Sequence, residues 1–164
     1  MVFRRLMPSP QSQQVVPAAQ YSKKASILQS VYTAATNLFL ANTFQSVSLR
    51  QIAESSGLPQ GSLLKLVGSK DDLLYQVLVR FEYGLLEEIK HQLPSSMDCH
   101  MSMRRFTEIY IKYGTARRAD LLLARRDMHL LSQEHQESIR GIRDKLVTRV
   151  WEITAVGQAK KVFR

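Results

Sequence analysis

The residues arranged for chemistry gather around one tight join between positions 48 and 70. Ala53 and Gly57 stand four apart between two short helical patterns, the spacing of a helix-turn-helix, where a small side chain lets the helices cross closely and glycine makes the turn. Ile52, Leu58, Leu63 and Leu66 supply the apolar positions that would bury such a pair against a preceding helix. That chemistry is duplex recognition, and a purely structural helix pair has the same spacing. A second cluster, Met97, Cys99, His100, Met101 and Met103, crowds one stretch with soft donors that suit Cu(I); the better reading is an interhelical loop with incidental methionines, and no metal is expected. His135-Gln136-Glu137 is followed by no second histidine, so it completes no zinc-protease motif. There is no phosphate-binding glycine loop and no nucleophile elbow. Neither an enzyme nor a cofactor is expected.

Charge supports the first cluster. The chain has 164 residues, 23 Lys and Arg against 14 Asp and Glu, and a net charge of +9. Residues 1 to 70 hold seven of the bases (Arg4, Arg5, Lys23, Lys24, Arg50, Lys65 and Lys70) but only one acid, Glu54. The rest of the chain mixes both signs, as solvated helix faces do. A basic first third implies a polyanionic partner, with nucleic acid ahead of an anionic membrane surface. The length suits one compact domain, or a small domain fused to another, and is enough to bury about 70% of the unfolded surface without disulfides. Cys99 is the only cysteine, so an intramolecular disulfide is excluded and a reducing cytoplasm is the expected location. No apolar run approaches the roughly 20 residues of a membrane span, and the start lacks a secretory signal.

The elements that must position these residues read almost entirely as helix. Pro8, Pro10 and Pro17 make residues 1 to 21 a flexible arm; Arg4 and Arg5 can reach a DNA groove from it, and a tail without a role is the plainer reading. Ile27, Val31, Ala34, Ala35 and Leu38 fall on one face of a first helix that ends near Asn42. Ser48 and Gln51 have capping-box spacing for a second, which Gly57 stops. Pro59 suits the first turn of a third, ending at Gly68. Ser69 caps a fourth, with Asp71 and Asp72 in its first turn. Leu74, Val77, Leu78, Phe81, Leu85 and Ile89 stripe this fourth helix, which runs toward Pro94 over roughly 36 Å. Phe106, Ile109, Tyr110 and Tyr113 mark a fifth helix, residues 121–131 a sixth, and Ile139, Ile142, Leu146, Val150 and Ile153 a seventh. The expected fold is all-α: a helix-turn-helix domain over 22–70 and a helical bundle over 71–164. Phe106, Tyr110, Tyr113, His129 and Trp151 are candidates to line a ligand pocket between helices, with core packing as the alternative for each.

Residues 27 to 78 resemble the DNA-binding domain of the TetR-like bacterial transcriptional regulators. The resemblance is carried by Ile27-Leu28, Ala34-Ala35, Leu38-Phe39, Phe44, Ser48, Ile52-Ala53, Gly57, Gly61-Ser62-Leu63 and the run Ser69-Lys70-Asp71-Asp72-Leu73-Leu74, in the family's order and spacing. It implies that the third helix enters the major groove while the starts of the second and fourth hold phosphates. Ser48 and Lys70 would then hold phosphate at helix N-termini, where free amides and the dipole favour an anion. Gln60 and Ser62 would bond base edges, Gly61 would let the backbone come close, and Lys65 would share the exposed face of Ser62. An exposed polar side chain or a cap also accounts for each.

At the end of the third helix the family's usual aromatic close is replaced by Leu64-Lys65-Leu66-Val67, so the tyrosine contact to phosphate is absent and the operator does not carry over. The resemblance further implies a homodimer on a near-palindromic double-stranded operator, repressing until a small-molecule effector tilts the fourth helix. The residues from Gly157 to Arg164 resemble the junction into two further helices that build the family's dimer. On that basis weak or substitute dimerisation is expected, with a sensing pocket lacking a wall and exposed apolar stripes on the fourth and seventh helices. The rival reading is a helical interaction protein or a remnant that no longer regulates.

Overall fold

The computed structural model describes residues 18–163, and among them every regular element is helical. The order is α1 (Ala18–Ala41), α2 (Leu49–Ser56), α3 (Gln60–Val67), α4 (Lys70–Gln92), α5 (Cys99–Ala116), α6 (Arg118–Asp127), a 3-10 turn (Met128–Leu130) and α7 (Gln133–Ala159). The stretch read as an arm lies outside the described residues except for 18–21, which open α1. None of the described helices is long and apolar enough to cross a membrane.

Local chemistry sets the boundaries in the first half. The Ser48 hydroxyl accepts the Gln51 amide at 3.3 Å, and the Gln51 side-chain carbonyl accepts the Ser48 amide at 2.8 Å, closing a capping box. Gly57 ends α2 at φ +71°, a left-handed conformation that an L side chain adopts only under strain. Gly68 ends α3 at φ +81°, and a Cβ there would stand 2.8 Å from the Asp72 carboxylate. Ser69 and Asp72 form a second capping box at the start of α4.

The long α4 is the axis of the molecule. Its stripe of Leu74, Val77, Leu78, Phe81, Leu85 and Ile89 is buried throughout, because α1, α5, α6 and α7 all pack around it. One core joins Val31 and Phe39 of α1, Ile52 of α2 and Leu63 of α3 to Leu123 of α6 and Ile139 of α7. A second core joins Leu85, Leu86 and Ile89 to Ile109 of α5 and to Ile142, Leu146 and Ile153 of α7. The expectation of exposed stripes on the fourth and seventh helices is therefore corrected: both are covered by neighbouring helices. Exposed apolar residues remain elsewhere, among them Leu64 of α3, Tyr83 of α4, Tyr110 and Ile111 of α5, Leu122 of α6, and Val147 and Trp151 of α7. The loop expected around Cys99 is also corrected. Cys99 to Met103 form the start of α5, capped by Asp98, whose carboxylate accepts the His100 amide at 2.9 Å; Cys99 itself is buried.

Candidate functional site

The head presents one polar helix face. In α3, Leu63 and Val67 point into the core, while Gln60, Gly61, Ser62, Leu64 and Lys65 lie exposed. The hydrophobic requirement of the core fixes this orientation, since rotating α3 to bury Lys65 would expose Leu63. Ser48 is exposed at the start of α2, its hydroxyl bound to both the amide and the side chain of Gln51. Gly61, Ser62 and Lys65 thus share one exposed helical face, and Gln60 is exposed where the helix begins. Leu64, 50% exposed beside them, is visible in the sequence only as part of the departure from the aromatic close.

Lys70 makes contacts within the head that its place in the sequence does not show. Its ammonium donates to the carbonyls of Phe44 at 2.9 Å and Val47 at 3.0 Å, with that of Gln45 at 3.5 Å. It also sits 4.4 Å from the centre of the Phe44 ring. The half-buried side chain thereby ties the α1–α2 connection to the start of α4.

A cavity of about 780 Å³ opens between α4, α5, α6 and α7. Phe81 and Leu85 of α4, Phe106 and Tyr110 of α5, and Leu146 and Val147 of α7 form its apolar walls. Of the five aromatic and histidine candidates, Phe106 and Tyr110 therefore line it, their rings stacked 6.3 Å apart. Tyr113 instead packs on the Phe81 ring and donates to the Phe81 carbonyl at 3.2 Å; burial raises its hydroxyl pKa. His129 sits exposed in the 3-10 turn and Trp151 is 69% exposed on the outside of α7. Neither lines the cavity.

The polar residues of the cavity do not stand out in the sequence. Glu82, only 5% exposed, accepts from Arg143 Nε at 2.8 Å and from its Nη2, while Arg143 Nη1 approaches the Met128 sulfur at 3.0 Å. A buried carboxylate demands such a partner. Arg118 and Arg125 of α6 also line the cavity, with Leu121 between them. Positions 118, 121 and 125 fall on one face of a helix, a spacing visible in the sequence but indistinguishable there from a solvated basic face.

The helix that carries these arginines is fastened to the head. Thr36 of α1 donates to Asp120 at 3.0 Å. Arg126 donates to the carbonyls of Phe39, Leu40 and Asn42 at the end of α1 and pairs with Asp127 beside it. One wall of the cavity is therefore joined directly to the first helix of the helix-turn-helix domain.

No protein-family model matches the sequence, and no match is found among curated proteins. Solved structures do match. The TetR family transcriptional regulator PfmR from Thermus thermophilus superposes with a TM-score of 0.75 at 23% identity, over 82% of this chain and 73% of that one. A bacterial regulatory protein in the tetR family from Rhodococcus RHA1 gives 0.79 at 20% identity, over 84% and 73%. The fatty acid degradation regulator FadR from Bacillus halodurans gives 0.66 at 16% identity, over 83% and 70%. The all-helical architecture is thus the TetR-like fold: a three-helix head followed by a helical bundle. At these identities the likeness establishes architecture, and the chemistry rests on this chain's own residues.

Proposed function

We propose that the protein is a sequence-specific DNA-binding transcriptional regulator, a repressor released when a small molecule enters the bundle cavity. The observation that carries the reading is the exposed face of α3, where Gly61, Ser62 and Lys65 stand together opposite the core and Gln60 is exposed at the helix start. Gln60 and Ser62 hydrogen-bond base edges, Gly61 admits close backbone approach, and Lys65 supplies charge. Leu64 makes an apolar contact of the kind that recognises a thymine methyl. Ser48 and Lys70 meet phosphates on either side, Lys70 while also holding the α1–α2 connection in place.

Release works through differential affinity. An effector that fits the cavity better in one arrangement of α4 and α6 shifts the protein toward it. Both helices also touch the head: α4 begins there at Lys70, and α6 holds the end of α1 through Arg126. Reading two half-sites roughly 34 Å apart requires a homodimer.

The test is retention on duplex DNA across a salt series, followed by protection of an inverted repeat upstream of the protein's own coding region. A regulator loses affinity steeply and linearly in log salt, because phosphate contacts release counterions. Retention that is absent, or indifferent to salt, refutes the reading in favour of a helical interaction protein.

A further inference from the structure

We propose that the cavity binds an amphiphilic anion, a carboxylate with an apolar body, whose head is held by Arg118 and Arg125. The proposal deepens the reading of the cavity as an effector site and rests on it for regulatory meaning, but binding itself does not depend on that reading.

Charge balance identifies the head. Three guanidinium groups and one carboxylate line the cavity. The carboxylate, Glu82, is already matched by Arg143. Arg118 and Arg125 make no ion pair and no side-chain hydrogen bond to another described residue, so the wall carries two uncommitted positive charges. Guanidinium is weakly hydrated and binds a carboxylate through two parallel N–H bonds. It repels a cationic head and gains little from a neutral one.

The other walls identify the body. Facing α6 are Phe81, Leu85, Phe106 and Leu146, a largely apolar surface on which the polar groups beside the Glu82–Arg143 pair are the hydroxyls of Tyr110 and Thr115, the latter already donating to the Ile111 carbonyl, too few to engage a sugar or a base along its length. A small inorganic anion would satisfy the arginines and leave this surface wet. A plain hydrocarbon would cover the surface and leave the arginines bare. Only a ligand charged at one end and apolar along the rest meets both walls, and about 780 Å³ lies within the range of small-molecule sites.

The experiment titrates the full chain by calorimetry with decanoate, decanol and decyltrimethylammonium, each below its aggregation threshold. Decanoate should bind at least tenfold more tightly than decanol, and the cationic probe should bind weakest. In the double variant Arg118→Gln/Arg125→Gln, decanoate should fall to the level of decanol while decanol is unchanged, which also reports that the cavity is still folded. Val147→Trp, at an exposed position of the wall, should weaken decanoate and decanol alike. Equal affinity for the three heads, absence of decanoate binding, or a preference for decanoate that survives in the double variant overturns the proposal. Duplex retention measured on the same ligand-free preparation separates the two readings. Retention without head discrimination sinks this proposal alone, and head discrimination without retention sinks the regulator alone.

Discussion

Replacing Lys70 by Met keeps the length and apolar stem of the side chain and removes only its ammonium. The carbonyls of Phe44 and Val47, at 2.9 and 3.0 Å, then lose their charged donor. Hydrogen bonds to a charged group contribute about 1.5–3 kcal/mol each, with the low end suited to a half-buried site, and the ammonium over the Phe44 ring adds about 0.5–1 kcal/mol. Because the stem still packs and water reaches part of the site, the net loss should be about 2–3 kcal/mol. In a chain of this size that lowers the melting temperature by about 5–10 °C. Lys65→Ala provides the contrast. Its side chain is exposed and makes no hydrogen bond or ion pair with another described residue, so stability should change by less than about 0.5 kcal/mol. Its loss should instead reduce the salt slope of duplex binding by about one phosphate contact. Thermal unfolding and duplex affinity over a salt series, run on both variants, decide the matter. A Lys70→Met protein that melts with the wild type while losing slope would refute the structural role assigned to the ammonium. An unchanged slope in Lys65→Ala would refute the docking face.

Two further predictions concern the bundle. Arg143→Met strands the buried Glu82 carboxylate and should cost about 3–5 kcal/mol in urea unfolding, whereas Glu82→Met/Arg143→Met should recover much of the loss; a double variant no more stable than the single would contradict the pairing. The Asp98 carboxyl is held below its ordinary pKa, first by the His100 amide at the start of α5. Its contribution to stability is thus complete above the ordinary carboxylate range and is lost as the pH falls through the lowered value. Asp98→Asn should therefore flatten the acid limb of the melting profile, and a profile identical to wild type would remove Asp98 from the account.

The caps are legible in the sequence because they are local. Ser48 with Gln51, Gly57, Gly68 and Ser69 act through backbone angles and partners within a few positions, so residue type and spacing suffice. The structural task of Lys70 is not legible, since its carbonyl partners lie 23 to 26 positions earlier and meet it only once α1 and α4 have packed. Residue type is equally insufficient for the aromatics. Phe106, Tyr110 and Tyr113 share a helix, and whether a ring meets cavity or core depends on which neighbour stands opposite. The start of α5 reads as loop because soft donors crowd it, although Asp98 is a capping signal and Cys99, Met103 and Phe106 fall at helical spacing, Cys99 buried and the other two packed on the second core. Arg118 and Arg125 are hidden among mixed charges because they too are exposed to water, and only their place beside the cavity sets them apart.

The core that runs from Ile52 and Leu63 of the head to Leu123 and Ile139 of the bundle has a bearing on modularity. A protein whose reading and sensing parts each owned a core could exchange one part by recombination and keep the other. Here a cut near residue 70 would divide a single apolar cluster and strip the end of α1 of the Arg126 guanidinium. The head and bundle should melt in one calorimetric transition, and their amides should share a common slowest exchange rate. A grafted head would need the facing residues of α6 and α7 to travel with it, so under the proposed function new operator specificity would be more accessible through substitutions on the exposed face of α3 than through exchange of the whole domain.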